Sequence, residues 1–162
     1  MDRLLRGGGR VVALVAVVVL VASACSKSAD TAPIYDVFAQ QFKFHGMPAS
    51  IPSGNMQINF SNKESFPIAH EMIVKALPSG QTAQDIIDSA KVEGCEGGAE
   101  CEAQFLAFGE IAGVDTGATL SNVFDLPAGE YFFACWETGT QSGTTDGPPH
   151  ASKGMVFTFT VT

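Results

Sequence analysis

The stretch Gly129-Glu-Tyr-Phe-Phe-Ala-Cys135, followed across a polar loop by Pro149-His150-Ala-Ser-Lys-Gly-Met155 and then Val156-Phe-Thr-Phe-Thr-Val-Thr162, decides the fold of this chain. Successive side chains of a strand point to opposite faces, so Tyr131, Phe133 and Cys135 share one face. By the same parity Met155, Phe157, Phe159 and Val161 share one face, with Thr158 and Thr160 opposite. A cysteine ends one apolar strand, a histidine follows the loop, and a methionine opens the next strand.

The period of two continues upstream. Ile34 to Phe44 alternates loosely, and Met56, Ile58 and Phe60 alternate with Asn55, Gln57, Asn59 and Ser61. Ile68, His70, Met72 and Val74 fall on one face, and Glu71, Ile73 and Lys75 on the other. Leu120 to Leu126 supplies one more strand. Pro52-Ser-Gly54, Pro78-Ser-Gly80, Pro127-Ala-Gly129 and Gly147-Pro-Pro149 punctuate these segments with turn chemistry. Short strands so punctuated predict a β-sandwich or barrel. One interruption is helical: Thr82 stands as N-cap with Asp85 three positions on, Ile86, Ile87 and Ala90 follow at helical spacing, and the helix should stop by Gly94. A second short helical piece is expected around Glu102 to Phe108.

His70, Cys135 and Met155 thus each lie on the apolar side of a strand, toward one core. A neutral imidazole in an apolar wall needs partners for its ring nitrogens. Taken singly, a core histidine is usually hydrogen-bonded, a lone cysteine is a small hydrophobe and a lone methionine is filler. Together with His150 they form two imidazoles, a thiolate and a weak thioether, the soft and borderline donors that suit one copper ion cycling between Cu(I) and Cu(II). His45, in Phe42-Lys-Phe-His45-Gly46, has no such company and is expected in a surface turn.

The N-terminus reads as an export signal. Arg3, Arg6 and Arg10 precede an unbroken apolar run, Val11 to Ala22, too short for a bilayer core that needs roughly twenty residues. Val21-Ala-Ser-Ala-Cys25 resembles the lipobox of bacterial lipoproteins, with Ala22 where leucine is commonest. It points to a signal peptide over residues 1–24 and lipidation of Cys25; ordinary cleavage after Ala24 is the alternative. Residues 25–33 are small and polar and read as a flexible tether. About 130 residues remain, enough for one domain with one core. Loss of residues 1–24, with three arginines and one aspartate, takes the formal charge from −8 to −10. So acidic a domain is no nucleic-acid binder and favours basic partners or cations.

Outside the cytoplasm thiols tend to pair. Cys95 and Cys101 enclose only Glu-Gly-Gly-Ala-Glu, a loop able to close a local disulfide, which leaves Cys135 as the odd thiol in need of a reason. A copper ligand is such a reason; a bond from Cys135 to Cys95 or Cys101 would abolish it.

At these residues the chain resembles the cupredoxins, the plastocyanin- and azurin-like small blue copper proteins. Asn62-Lys-Glu-Ser-Phe-Pro-Ile-Ala-His70 is similar to the segment bearing that family's first histidine. Gly129 to Cys135 is similar to its Gly-x-Tyr-x-Phe-x-Cys strand, and His150 to Met155 to its His-x4-Met closing loop. The resemblance implies an all-β, cupredoxin-like Greek-key β-sandwich over residues 34–162, with a helical insertion at about 80–110. It also implies His70, Cys135, His150 and, axially, Met155 as ligands of one copper ion in a one-electron carrier rather than an enzyme. Phe133 and Phe157 would keep water from the sulfur, and partners would dock near His150, normally the ligand closest to solvent. The best-known members have only a few residues between cysteine and second histidine; here Trp136 to Pro149 intervene, a polar loop able to bulge out as a hairpin.

The expected protein is thus extracytoplasmic, anchored to a bacterial membrane through its lipid, monomeric, and served by a redox partner with a basic surface. The rival readings are a copper storage or delivery protein and a metal-free binding module of the cell envelope. A hydrolase lacks a credible nucleophile–base pair, and a multicopper oxidase would need paired His-x-His motifs. A dinuclear copper site would need a second cysteine in the ligand loop.

Overall fold

The computed structural model describes residues 31–92, 95, 99–139 and 147–162. The segment read as export signal, Cys25 and the first part of the tether lie outside the described residues. Residues 31–162 cluster as one compact unit.

Among the described residues nine strands form two sheets. They are β1 (Ile34–Ala39), β2 (Phe44–His45), β3 (Ser50–Ile51), β4 (Gly54–Asn62), β5 (His70–Ala76), β6 (Ala107–Val114), β7 (Thr119–Leu126), β8 (Gly129–Ala134) and β9 (Val156–Val161). One sheet runs β2-β1-β4-β7, the other β3-β9-β8-β5-β6. β1 and β4 pair in parallel, with Phe60 opposite Val37, and β8 and β9 pair antiparallel with Phe133 opposite Phe157.

The strand parity read from the sequence carries the packing. Met56, Ile58 and Phe60 of β4 face Met72 and Val74 of β5, Tyr131 and Phe133 of β8, and Phe159 and Val161 of β9 across one core. Complete burial of Phe60, Phe124 and Phe133 contributes about 2–3 kcal/mol each against leaving them in water. β8 is buried on both faces. Phe132 and Ala134 point the other way, into a second cluster with Ile73, Ile86, Ala90, Trp136 and the cysteines of the insertion.

The insertion begins as expected. Helix α1 (Ala83–Ser89) has the full capping box, Thr82 accepting from the Asp85 N–H and the Asp85 carboxylate accepting from the Thr82 N–H. Cys95 and Cys101 are disulfide-bonded. The second helical piece differs from expectation: α2 spans Ala99–Glu102, and Ala107 to Val114 is strand β6. The β5–β6 pairing carries two register irregularities. Gly109 lies in the left-handed region at φ 132°, where an added Cβ would stand 3.0 Å from the Phe124 ring. A strand bent around glycines shows no clean alternation, which is why helix was expected there.

Candidate metal centre

Cys135 sits directly after β8, His70 opens β5, and β5 pairs with β8. The two residues therefore meet at one end of one sheet. His150 begins the 3-10 turn His150–Lys153, which Gly154 ends in the left-handed conformation at φ 99° before Met155 and β9. That left-handed step favours glycine. Two backbone bonds complete this closure: Met155 N–H donates to the His150 carbonyl at 3.2 Å, and Cys135 N–H to the Met155 carbonyl at 3.3 Å. The long loop does not separate its ends, since Thr138 and Pro149 form a β-bridge and His150 N–H donates to the Glu137 carbonyl at 2.9 Å. Residues 140–146 between them lie outside the described residues.

His70, Cys135, His150 and Met155 are each 0% exposed. Ligand atoms of the first three lie within 4.8 Å of one another. Cys135 Sγ is 3.4 Å from His150 Nδ1 and 3.7 Å from His70 Nδ1, and the two Nδ1 atoms are 3.1 Å apart. The outer nitrogens are engaged elsewhere. His70 Nε2 is 3.3 Å from Glu64 Oε1, and His150 Nε2 is 3.1 Å from the Gly139 carbonyl oxygen. A carboxylate and a carbonyl only accept, so both ring protons belong on Nε2 and both Nδ1 atoms present lone pairs. Two lone pairs and a sulfur thus face one enclosed point, a donor set that one metal ion could share. Met155 packs in the same core cluster as Cys135.

The electrostatics agree. Burial pushes the Cys135 thiol well above its ordinary value, aided by the Glu71 carboxylate, while the Glu71 N–H, 3.4 Å away, donates to the sulfur. Burial holds His150 down to about 4 and lowers His70 against the pull of Glu64. The apolar enclosure thus disfavours the thiolate and the imidazolium alike in the metal-free chain. Among the described residues Cys135 is the one cysteine outside a disulfide.

Phe42 covers the histidines, its ring edge-on to His150 at 5.0 Å and to His70 at 5.7 Å, with Lys153 Nζ 4.5 Å from the Phe42 centroid. The expectation of a near-solvent His150 is corrected: it is wholly buried, because Phe42 and the loop ends close over it. Phe133 is fully buried, and Phe157 packs partly buried against the same core. His45 lies apart from the cluster, exposed and stacked on Phe38 at 5.0 Å.

Sequence reasoning missed Glu64 and Phe42. Both act through contacts made only in the folded chain. The one cue was an acidic residue six positions before His70.

Solved structures share the architecture. The Na-dithionite reduced auracyanin from the photosynthetic bacterium Roseiflexus castenholzii superimposes with a TM-score of 0.56 at 14% identity, over 82% of this chain and 98% of that one. Auracyanin A, a "blue" copper protein from the green thermophilic photosynthetic bacterium Chloroflexus aurantiacus, gives 0.53 at 16% identity over 82% and 100%. Auracyanin B gives 0.52 at 22% identity over 81% and 89%. No protein-family model matches the sequence, and no curated protein does. At these identities the likeness establishes the fold, a cupredoxin-like Greek-key β-sandwich carrying a short helical insertion.

Proposed function

We propose that this chain is a mononuclear blue copper protein of the cell envelope that carries single electrons, with His70, Cys135, His150 and Met155 as ligands. The observation behind this reading is the convergence of two Nδ1 lone pairs and the Cys135 sulfur on one buried point. The fold shared with proteins described as blue copper proteins supports it. Held by two imidazoles, a thiolate and a weak thioether, copper supplies a Cu(I)/Cu(II) couple.

The chain's own residues do the rest. The Glu71 N–H bonds the sulfur and supports its thiolate form. Glu64 and Gly139 hold the imidazoles with Nδ1 turned inward. Phe42, Phe133 and Phe157 exclude water. Complete burial of every ligand favours an ion retained through many electron transfers over one handed to an acceptor, which argues against storage or delivery.

The lipobox-like Val21 to Cys25 segment supports export and lipid anchoring at Cys25, with residues 25–33 as tether and 34–162 as the working domain. The −10 charge of the mature chain favours a monomer that meets a redox partner through a basic surface.

The test is to add Cu(II) to the domain beginning after Cys25, with Cys135→Ala as control, and to record the visible spectrum and the electron paramagnetic resonance. An intense thiolate-to-copper band in the wild type and its absence in the variant are expected. No band in the wild type overturns the reading.

A further inference from the structure

Glu64 lies in the turn between β4 and β5 with its side chain 2% exposed. Among the described residues no lysine or arginine pairs with it; its side-chain partner is the His70 ring. A buried carboxylate without a cation is costly, yet this one is firmly held. Oε1 accepts the Phe42 N–H at 3.0 Å, and the Glu64 N–H donates to Asn62 Oδ1 at 3.1 Å. Asn62 Nδ2 donates to the carbonyls of Ile68 at 2.8 Å and Val114 at 2.9 Å, which ties the turn to β6. Hydrogen bonds donated to a carboxylate favour its charged form, and Oε1 receives two donors, the Phe42 N–H and the His70 Nε2–H.

The backbone around Phe42 is held against its own preference. Gln41 and Phe42 are both left-handed at φ 54°, closed by reciprocal bonds between Gln40 and Lys43 of 3.0 and 3.2 Å. Left-handed non-glycine residues cost about 1–2 kcal/mol each. Glu64 thus touches both the proton-bearing nitrogen of one histidine and the turn that places an aromatic ring over both.

We infer that Glu64 is a positioning residue, built in to fix the His70 proton on Nε2 and to place a compensating negative charge behind that ring, biasing the centre toward the more highly charged state of its metal. This rests on the copper reading above. A fixed anion behind a ligand imidazole makes the ring a better donor and stabilises Cu(II) more than Cu(I). It also accounts for the buried charge, whose counter-ion is then the metal on the far side of His70.

The test uses the purified mature protein, copper-loaded and copper-free. Glu64→Gln keeps an acceptor for the Phe42 and His70 N–H groups and removes only the charge. We expect its Cys135-dependent band to persist while the ratio of Cu(II) to Cu(I) dissociation constants rises about tenfold, a positive shift of about 59 mV in a one-electron potential. In copper-free protein, histidine 15N spectra should show wild-type His70 protonated on Nε2 and lose that uniformity in Glu64→Ala. A Glu64→Gln ratio unchanged from wild type overturns the charge role. A wild-type His70 carrying its proton on Nδ1 overturns the positioning role, and that measurement stands even if Glu64→Ala does not fold. If the wild type shows no Cys135-dependent band, the copper reading fails and the charge role with it, whereas the copper-free spectra still decide the tautomer.

Discussion

His150 and Glu71 sit on either side of Cys135 and respond to acid in opposite senses. Burial holds His150 down to about 4 from an ordinary 6.5, whereas burial raises Glu71 to about 7 from 4.5 despite the Trp136 N–H it accepts at 2.7 Å. For His150 the folded value is the lower one. As pH falls below 6.5 the unfolded chain takes up a proton that the folded chain refuses, and stability drops until about 4. For Glu71 the folded value is the higher one, so the folded chain gains the proton first and stability rises as pH falls from about 7 toward 4.5. Each contribution between pH 8 and 5 amounts to about 2 kcal/mol, and they oppose. The Glu71 gain therefore offsets the His150 loss, and Glu71→Gln, which keeps the acceptor for Trp136 N–H, should lose about 2 kcal/mol more than copper-free wild type as pH falls from 8 to 5. Chemical denaturation at stepped pH checks this; parallel profiles for the two proteins would sink the assignment.

The insertion shows how an element outside the sandwich can be fixed to it. Lys75 on β5, 2% exposed, reaches out of the sheet to Glu102 of α2 at 2.9 Å and to the Phe105 carbonyl at 3.4 Å. Phe105 in turn packs on Phe132 and stacks on Trp136. Removing one partner of a buried pair leaves the other charge stranded, whereas replacing the lysine by an apolar chain of similar length removes the problem. With Glu102 28% exposed at its side chain, Glu102→Ala should cost about 1–3 kcal/mol and Lys75→Met distinctly less, read from urea midpoints. The reverse order would mean that the pair itself holds the insertion. What was legible here followed from periodicity. β8 and β9 alternate cleanly, so Cys135 and Met155 could be placed on the core side before any fold was known, and the Thr82–Asp85 box announced α1. β6 was illegible because Gly109 and Gly113 interrupt its alternation, and its meaning comes from pairing with β5. Glu64 was illegible for a different reason: its partners, Phe42 and His70, come together only when two turns close at the same end of the sandwich.

At the scale of the whole molecule the enclosed site and the N-terminal segment pose one question, namely where a domain with no exposed ligand would stand to meet a partner if it carries electrons as proposed. No helix among the described residues is long and apolar enough to cross a membrane. On the proposed reading, attachment through Cys25 would confine the domain to the membrane surface, and a tether over residues 25–33, at up to about 3.3–3.6 Å per extended residue, would let it reach a membrane-bound partner. One acyl chain gives only marginal binding, about 0.8 kcal/mol for each buried methylene, so firm anchoring needs more than one. The wild type should therefore incorporate an alkyne-labelled fatty acid and partition into detergent on phase separation. Cys25→Ala should take up no label, and a form begun at Ser26 behind an ordinary signal should stay in the aqueous phase with its copper band intact. An unlabelled wild type found in the aqueous phase would mean cleavage after Ala24 and a freely diffusing carrier, whose encounters would then rest on its −10 charge alone.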